Sequence, residues 1–267
     1  MKLQFYKPQN TLLKKYIEGY YFIAENKSSD IIEYFTFPNN FVILSVNENS
    51  KVELKDNRIT VSSSDEKNIT AGLVASYTSP IEVVYDSAVN EVTMYFKPLG
   101  INHFLQDITV LQQRSDFGFN PYPDFENAMQ AVFDEVDREA QIVLLENYWL
   151  SKFKEKELVL AYQLLTDIES NLKVEEIAAK NRLNRQSLRR TFLKNVGKTP
   201  AEYRKIFRFR NALTEFSRSR SLTELSHGNL FYDQSHFNKD FKSLTHTNPA
   251  SFFKNVDTGK GNVWLFV

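Results

Sequence analysis

The sequence predicts an α+β protein. An N-terminal antiparallel β barrel or sandwich-like domain with helices is followed by an all-α domain of two helix-turn-helix units joined by a long helix. Three observations lead there. The first hundred residues break into short runs rich in β-branched and aromatic residues. The last hundred carry explicit helix-start signals, and one helix-pair pattern recurs within them.

The strands come first. Seven runs qualify: IIEYFTF (31–37), FVILSV (41–46), KVEL (51–54), RITV (58–61), ITAGLVASY (69–77), IEVVY (81–85) and EVTMYF (91–96). Turn-forming Pro38-Asn39-Asn40, Asp56-Asn57 and Ser79-Pro80 separate them. Such short, closely spaced strands favour an antiparallel barrel or sandwich over a parallel sheet with crossovers. LLKKYIEGYYF, ahead of them, reads as helical at its start. PLGINHFL reads as a short helix, and residues 125–153 have helical periodicity. In that last segment Phe125, Met129, Val132, Phe133, Val136, Ile142, Val143 and Leu145 form apolar stripes. They suit a dimer interface or packing against the chain's own β domain.

From residue 155 the chain reads as helix throughout. Thr199-Pro200-Ala201-Glu202 is a capping box with Pro at the first helical position, and Ser221-Leu222-Thr223-Glu224 is a second box. Asn184, Asp233 and Asn248 are N-cap candidates. Helices are expected over 155–170, 173–181, 185–196, 200–217, 222–229, 234–244 and 249–255. Residues 174–203 align with 222–253, at an offset of 48 that becomes 49 across the second helix of each pair. Ile177 then matches Leu225, Leu188 matches Phe237, Phe192 matches Phe241 and Pro200 matches Pro249.

Composition narrows the function. The chain has 267 residues, 42% hydrophobic and 25% charged, as in globular proteins. It has no Cys, which excludes disulfides, thiolate metal sites and a thiol nucleophile. MKLQFYKPQN lacks an apolar leader, and no run approaches the roughly 18 apolar residues of a membrane span. A cytoplasmic protein without membrane contact is expected. The zero net charge hides a split: residues 1–150 carry 12 Lys and Arg against 21 Asp and Glu, a balance of −9. Residues 151–267 carry 21 against 12, a balance of +9. That asymmetry points to a polyanion-binding second half, the alternative being that both signs simply solvate the surface.

The repeated pair fits a DNA reader. A helix-turn-helix needs a second helix with one face buried and the other free for the major groove. In the first copy Leu188 and Phe192 form the buried stripe. Arg185, Gln186, Ser187, Arg189 and Arg190 occupy the rest, and Arg and Gln are the side chains that pair bidentately with guanine and adenine. Lys194 and Lys198, with Arg204, Lys205, Arg208 and Arg210 on the connecting helix, suit phosphate. In the second copy Phe237 and Phe241 are buried, leaving Gln234, Ser235, His236, Asn238 and Lys239 as readers. Some 18 connecting residues at about 1.5 Å each span roughly 27 Å. With the flanking elements this places the two recognition helices about 34 Å apart, one turn of B-DNA.

Asp233, His236 and Asp240 also share a spacing of i, i+3, i+7 that three metal ligands could use. Asp233 is better explained as a cap and Asp240 aligns with Thr191 near the buried edge, so no metal or other cofactor is expected. Single acidic residues in the strands, Glu33, Glu82 and Glu91, read as a solvated face. No Gly-rich phosphate loop, nucleophile elbow or HExxH pattern is present, and no enzyme is expected.

The motifs EEIAAKNRLNRQSLRRTFLKNVGKTPAEYRK and FYDQSHFNKDFKSLTHTNPASFF resemble the DNA-binding domain of the AraC/XylS family of bacterial transcription regulators. The resemblance covers residues 155–255. It implies a chain divided into a β-rich sensor or regulatory domain (1–120), a helical linker or dimerisation segment (121–153) and an AraC-type DNA-binding domain (154–257). It implies double-stranded DNA as partner, a homodimer, a small-molecule effector and contact with RNA polymerase; the alternative is an N-terminal domain that binds no small ligand. Tyr20, Tyr34, Phe35, Phe41, Tyr77, Tyr85, Tyr95 and Phe96 would line an effector pocket or simply form the core. Such units usually place Gly in each turn, whereas this chain has Arg182 and Leu230 there. Ser226-His227-Gly228 also replaces a usually Ala-rich stretch, which makes the first unit the stronger DNA binder.

Overall fold

The computed structural model describes residues 4–23, 31–113, 115–216 and 234–255. Its strands form two sheets. The larger has the order β1 (Phe5–Tyr6), β2 (Ile17–Ile23), β9 (Asn90–Phe96), β4 (Val42–Glu48), β7 (Ile69–Val74) and β10 (Ser115–Asp116). The smaller has the order β3 (Ile32–Thr36), β8 (Ile81–Tyr85), β6 (Arg58–Ser63) and β5 (Ser50–Lys55). Neighbours run antiparallel as expected, except β6 and β8, which are parallel. The chain leaves β6 for β7 in the other sheet before returning, which is the crossover a parallel pair requires.

Strand β9 explains the layering. Its residues Glu91 to Phe96 are all buried, so alternate side chains need a layer on each side. Tyr95 joins Tyr21, Tyr34, Val83 and Tyr85 in a core between the sheets. Met94 and Phe96 join Tyr20 and Leu44 in a second core on the opposite face. Leu13 of the short helix α1 (Leu13–Tyr16) enters that second core, which is closed by α2 (Phe125–Asp134) and α3 (Arg138–Lys152), through Phe125, Met129, Val132, Ile142, Leu145 and Trp149. Asp137 caps α3 by accepting from Ala140 N at 2.8 Å.

The apolar stripe of α2 and α3 covers a sheet face, which is the packing against the chain's own β domain that the sequence left open beside a dimer interface. Of the residues proposed for a dimer seam, only Val136 (96% exposed) and Val143 (47%) face outward. The three strand carboxylates also part company. Glu33 is exposed and Glu82 pairs with Arg58 at 2.9 Å, but Glu91 is 2% exposed and lies inside the sandwich.

In the helical region α4 (Val159–Glu169), α5 (Val174–Lys180), α6 (Arg185–Val196), α7 (Pro200–Glu215), α8 (Gln234–Thr245) and α9 (Pro249–Asn255) follow the sequence signals closely. Asn184 caps α6 through Ser187 N, Thr199 and Glu202 form the box on α7, and Asn248 caps α9 through Ser251 N. The expected helix 222–229, the box at Ser221, the cap Asp233 and the turn residue Leu230 lie outside the described residues. Leu188 and Phe192 pack in one core with Leu164, Ile177 and Tyr203. Their repeat partners Phe237 and Phe241 pack in another with Ile206, Phe209 and Phe252.

Arg182 adopts the left-handed conformation, φ +54°, that the expected glycine would have taken freely. The turn holds it there. Arg182 N donates to Ala179 O at 3.1 Å, Leu183 N donates to Ala178 O at 2.8 Å, and Asn181 Nδ2 donates to buried Asp167 at 2.8 Å. A β-carbon in that region costs about 1–2 kcal/mol, partly offset in glycine by its greater unfolded-state freedom. Arg182→Gly is therefore predicted to stabilise the chain by about 0.5–1 kcal/mol. Urea unfolding checks this: a midpoint that stays level or falls contradicts the strained turn.

Candidate nucleic-acid interface

Helix α6 begins at the Asn184 cap, and its periodicity divides it cleanly. Leu188 and Phe192 are fully buried, while Arg185, Gln186, Arg189, Arg190 and Lys194 are exposed and Ser187 is half-buried. Among the described residues Arg185 has an exposed ion pair with Glu175 at 3.2 Å, which salt and water screen. The outward face therefore offers four cations and one amide on a rigid helix, a surface suited to phosphate and to base edges.

Helix α8 presents a more neutral face. Gln234, Ser235, Asn238 and Lys239 are exposed and His236 is half-buried. His236 Nε2 lies 3.4 Å from Asp240, and Asp240 binds Arg208 Nη2 at 2.7 Å. Asp240 thus ties α8 to α7. Arg208, expected at phosphate, is committed to that tie because both side chains are largely buried.

Other expected phosphate contacts are also engaged within the chain. Lys198 is 1% exposed and donates to Ala75 O of the β domain. Arg210 donates to Pro38 O at 2.7 Å and to Phe37 O. Arg204 Nε donates to Ile168 O at 2.8 Å. The reason is common to all three: cations taken from water must find acceptors, and here main-chain carbonyls supply them. Lys194 remains exposed and Lys205 half-exposed.

The β domain holds both helical cores. Leu99, in the turn after β9, is buried in the core of the first unit with Ala161, Leu164 and Ile168. Phe37, at the end of β3, is buried in the core of the second, 4.9 Å from the Phe252 ring in an edge-to-face contact. Polar contacts fix the seam: Asn102 Nδ2 donates to Asn195 O and Asn40 Nδ2 to Tyr203 O, each at 3.1 Å. Gly197, which ends α6 with φ +76°, lies so close that a β-carbon would come 2.5 Å from Leu111 O. No sequence pattern marked Leu99 or Phe37, since an apolar residue beside a turn reads the same whether it serves its own domain or another.

Residues 177–255 match the model of a helix-turn-helix domain family. This region is a helix-turn-helix domain of the AraC type, the DNA-binding module of a transcription regulator, and the resemblance carried by the two motifs is borne out there. Among solved structures, ToxT from Vibrio cholerae is similar at 12% identity, covering 91% of this chain and 98% of that one with a TM-score of 0.46. A second ToxT structure, with an unsaturated fatty acid bound, is similar at 14% identity, covering 87% and 92%, also at 0.46. No curated protein matches the chain.

Lys198 gives the seam a pH signature. Burial pushes its ammonium down to about 7 from the ordinary 10.5, with Glu202 opposing. Between those values the docked chain binds fewer protons than the undocked one, so docking strengthens as pH rises from about 7 and is weakest below it. Thermal unfolding followed from pH 6.5 to 9 is predicted to show this rise, and Lys198→Met to remove it. An identical profile in the variant contradicts the assignment.

Proposed function

We propose that this protein is a sequence-specific DNA-binding transcription regulator whose N-terminal domain senses a small molecule and sets the placement of its two helix-turn-helix units. The observation that carries the reading is the seating of one β-domain side chain in each unit's core, Leu99 in the first and Phe37 in the second. A domain that plugs both readers biases how they meet DNA, which is a coupling between two sites.

Helix α6 is assigned to one major groove, with Arg185, Gln186, Ser187, Arg189 and Arg190 toward the bases and Lys194 toward phosphate. Helix α8 is assigned to the next groove, through Gln234, Ser235, His236, Asn238 and Lys239. Lys198 reaches phosphate only when the domains part. The protein works in the cytoplasm, on promoters that RNA polymerase also occupies. The outward Val136, in the turn between α2 and α3, and Val143 and Leu144 on α3 are the apolar surface offered to a second copy. None of the described helices is long and apolar enough to cross a membrane.

Two substitutions separate base reading from phosphate contact. Arg190→Ala is predicted to cost about 1–3 kcal/mol on the preferred sequence and to relax preference at one base pair. Lys194→Ala is predicted to weaken all sequences alike and to lower the slope of log affinity against log salt by about 1. Titrations on specific and random duplexes check both. Equal losses on the two duplexes for Arg190→Ala contradict its assignment to a base.

A further inference from the structure

Between the two sheets lies a cavity of about 70 Å³ whose wall carries one buried acid among tyrosines and aliphatic side chains. Glu91 stands on that wall, and its carboxylate accepts from the hydroxyls of Tyr21 (3.0 Å), Tyr85 (2.8 Å) and Thr93 (2.5 Å). Each of these hydroxyls donates its one proton to Glu91. Ser45 Oγ lies 2.7 Å from Thr93 Oγ1 and must therefore donate to it. The Tyr34 hydroxyl joins the network through Tyr21 and Tyr85. Asn47 adds another acceptor: it is 2% exposed, and its Oδ1 has no hydrogen-bond partner among the described residues.

Among the described residues Glu91 is bonded only to neutral hydroxyls and has no ion pair; burial pushes its carboxyl up and those bonds oppose the shift. The rings of Tyr34 and Tyr95 close the space, Tyr34 stacked 6.3 Å from Tyr85 and Tyr95 tilted 6.2 Å from Tyr21. Aromatic faces attract cations, and a buried carboxylate favours one.

We propose that this cavity binds a compact alkylammonium ion, with its N–H groups toward Glu91 and Asn47 and its carbons against the tyrosine rings. The inference rests on reading the N-terminal domain as a sensor, and it names the ligand class. An anion would face the Glu91 carboxyl, and a neutral donor would leave that acid without a cationic partner. A space of this size admits only a small ligand. The same cavity reaches the DNA-binding region. Tyr77 lines it and donates to Phe37 O at 2.7 Å, the carbonyl that Arg210 of α7 also binds.

The test uses the full chain, with thermal unfolding followed in methylammonium or ethylammonium chloride against equal sodium chloride, and in ethanol as the neutral match. A saturable rise with the ammonium salts alone is expected. Glu91→Gln, similar in size and uncharged, is expected to weaken that binding about ten- to a hundredfold. Magnetisation transfer from ethylammonium protons to tyrosine ring protons in the unmutated chain is expected as well, and does not depend on how the variant folds. Absence of that transfer, no saturable response to the ammonium salts, or an undiminished response in Glu91→Gln overturns the proposal. A response to ethanol alone overturns the cation and leaves the sensor reading standing; a response to no probe removes this cavity as a site.

Discussion

Two apolar side chains, Leu99 and Phe37, join the halves of this molecule. Each leaves the β domain at a turn and is buried among helices that read as a separate unit, so neither helical core is complete without the sheet beneath it. Burying such a side chain is worth about 1.5–3 kcal/mol, comparable to the energies that distinguish one DNA site from another. The β domain therefore has enough leverage to set where the two units stand without touching DNA.

The polar seam around these plugs follows from that closeness. Once the surfaces meet, Lys198 is shut off from water and Arg210 is half-buried, and they bond main-chain carbonyls of Ala75, Pro38 and Phe37. Side chains that would suit phosphate on a free domain become its internal fastenings. The exposed cations of α6 are untouched, which leaves the face proposed to read DNA open while the domains are docked. Phe37 lies where three influences meet: the second unit's core, the Arg210 fastening and Tyr77 at the inter-sheet cavity.

Much of this was legible in the sequence because local rules govern it. Caps at Asn184, Thr199 and Asn248 set helix starts, and Leu188, Phe192, Phe237 and Phe241 are buried as their spacing demands. The repeat even aligns Gly197 with His246, and both end their helices at positive φ. The illegible part is non-local. The run IEGYYFI reads equally as the tail of an amphipathic helix, and only pairing with β9 makes it the strand β2. Nothing near Lys198 or Arg210 marks them as bonded to the β domain. Glu91 had a usable signal that a solvated-face reading passes over: it is in phase with Thr93 and Tyr95, which face the second sheet.

The dependence of both readers on the β domain can be measured by hydroxyl-radical footprinting of the full chain on its preferred duplex, comparing Leu99→Ala with Phe37→Ala. Protection over two successive major grooves is predicted for the unmutated protein. Leu99→Ala should weaken or displace protection chiefly in the groove held by α6, and Phe37→Ala chiefly in the groove held by α8. Footprints that stay the same in both variants, with the chains folded, would contradict the account.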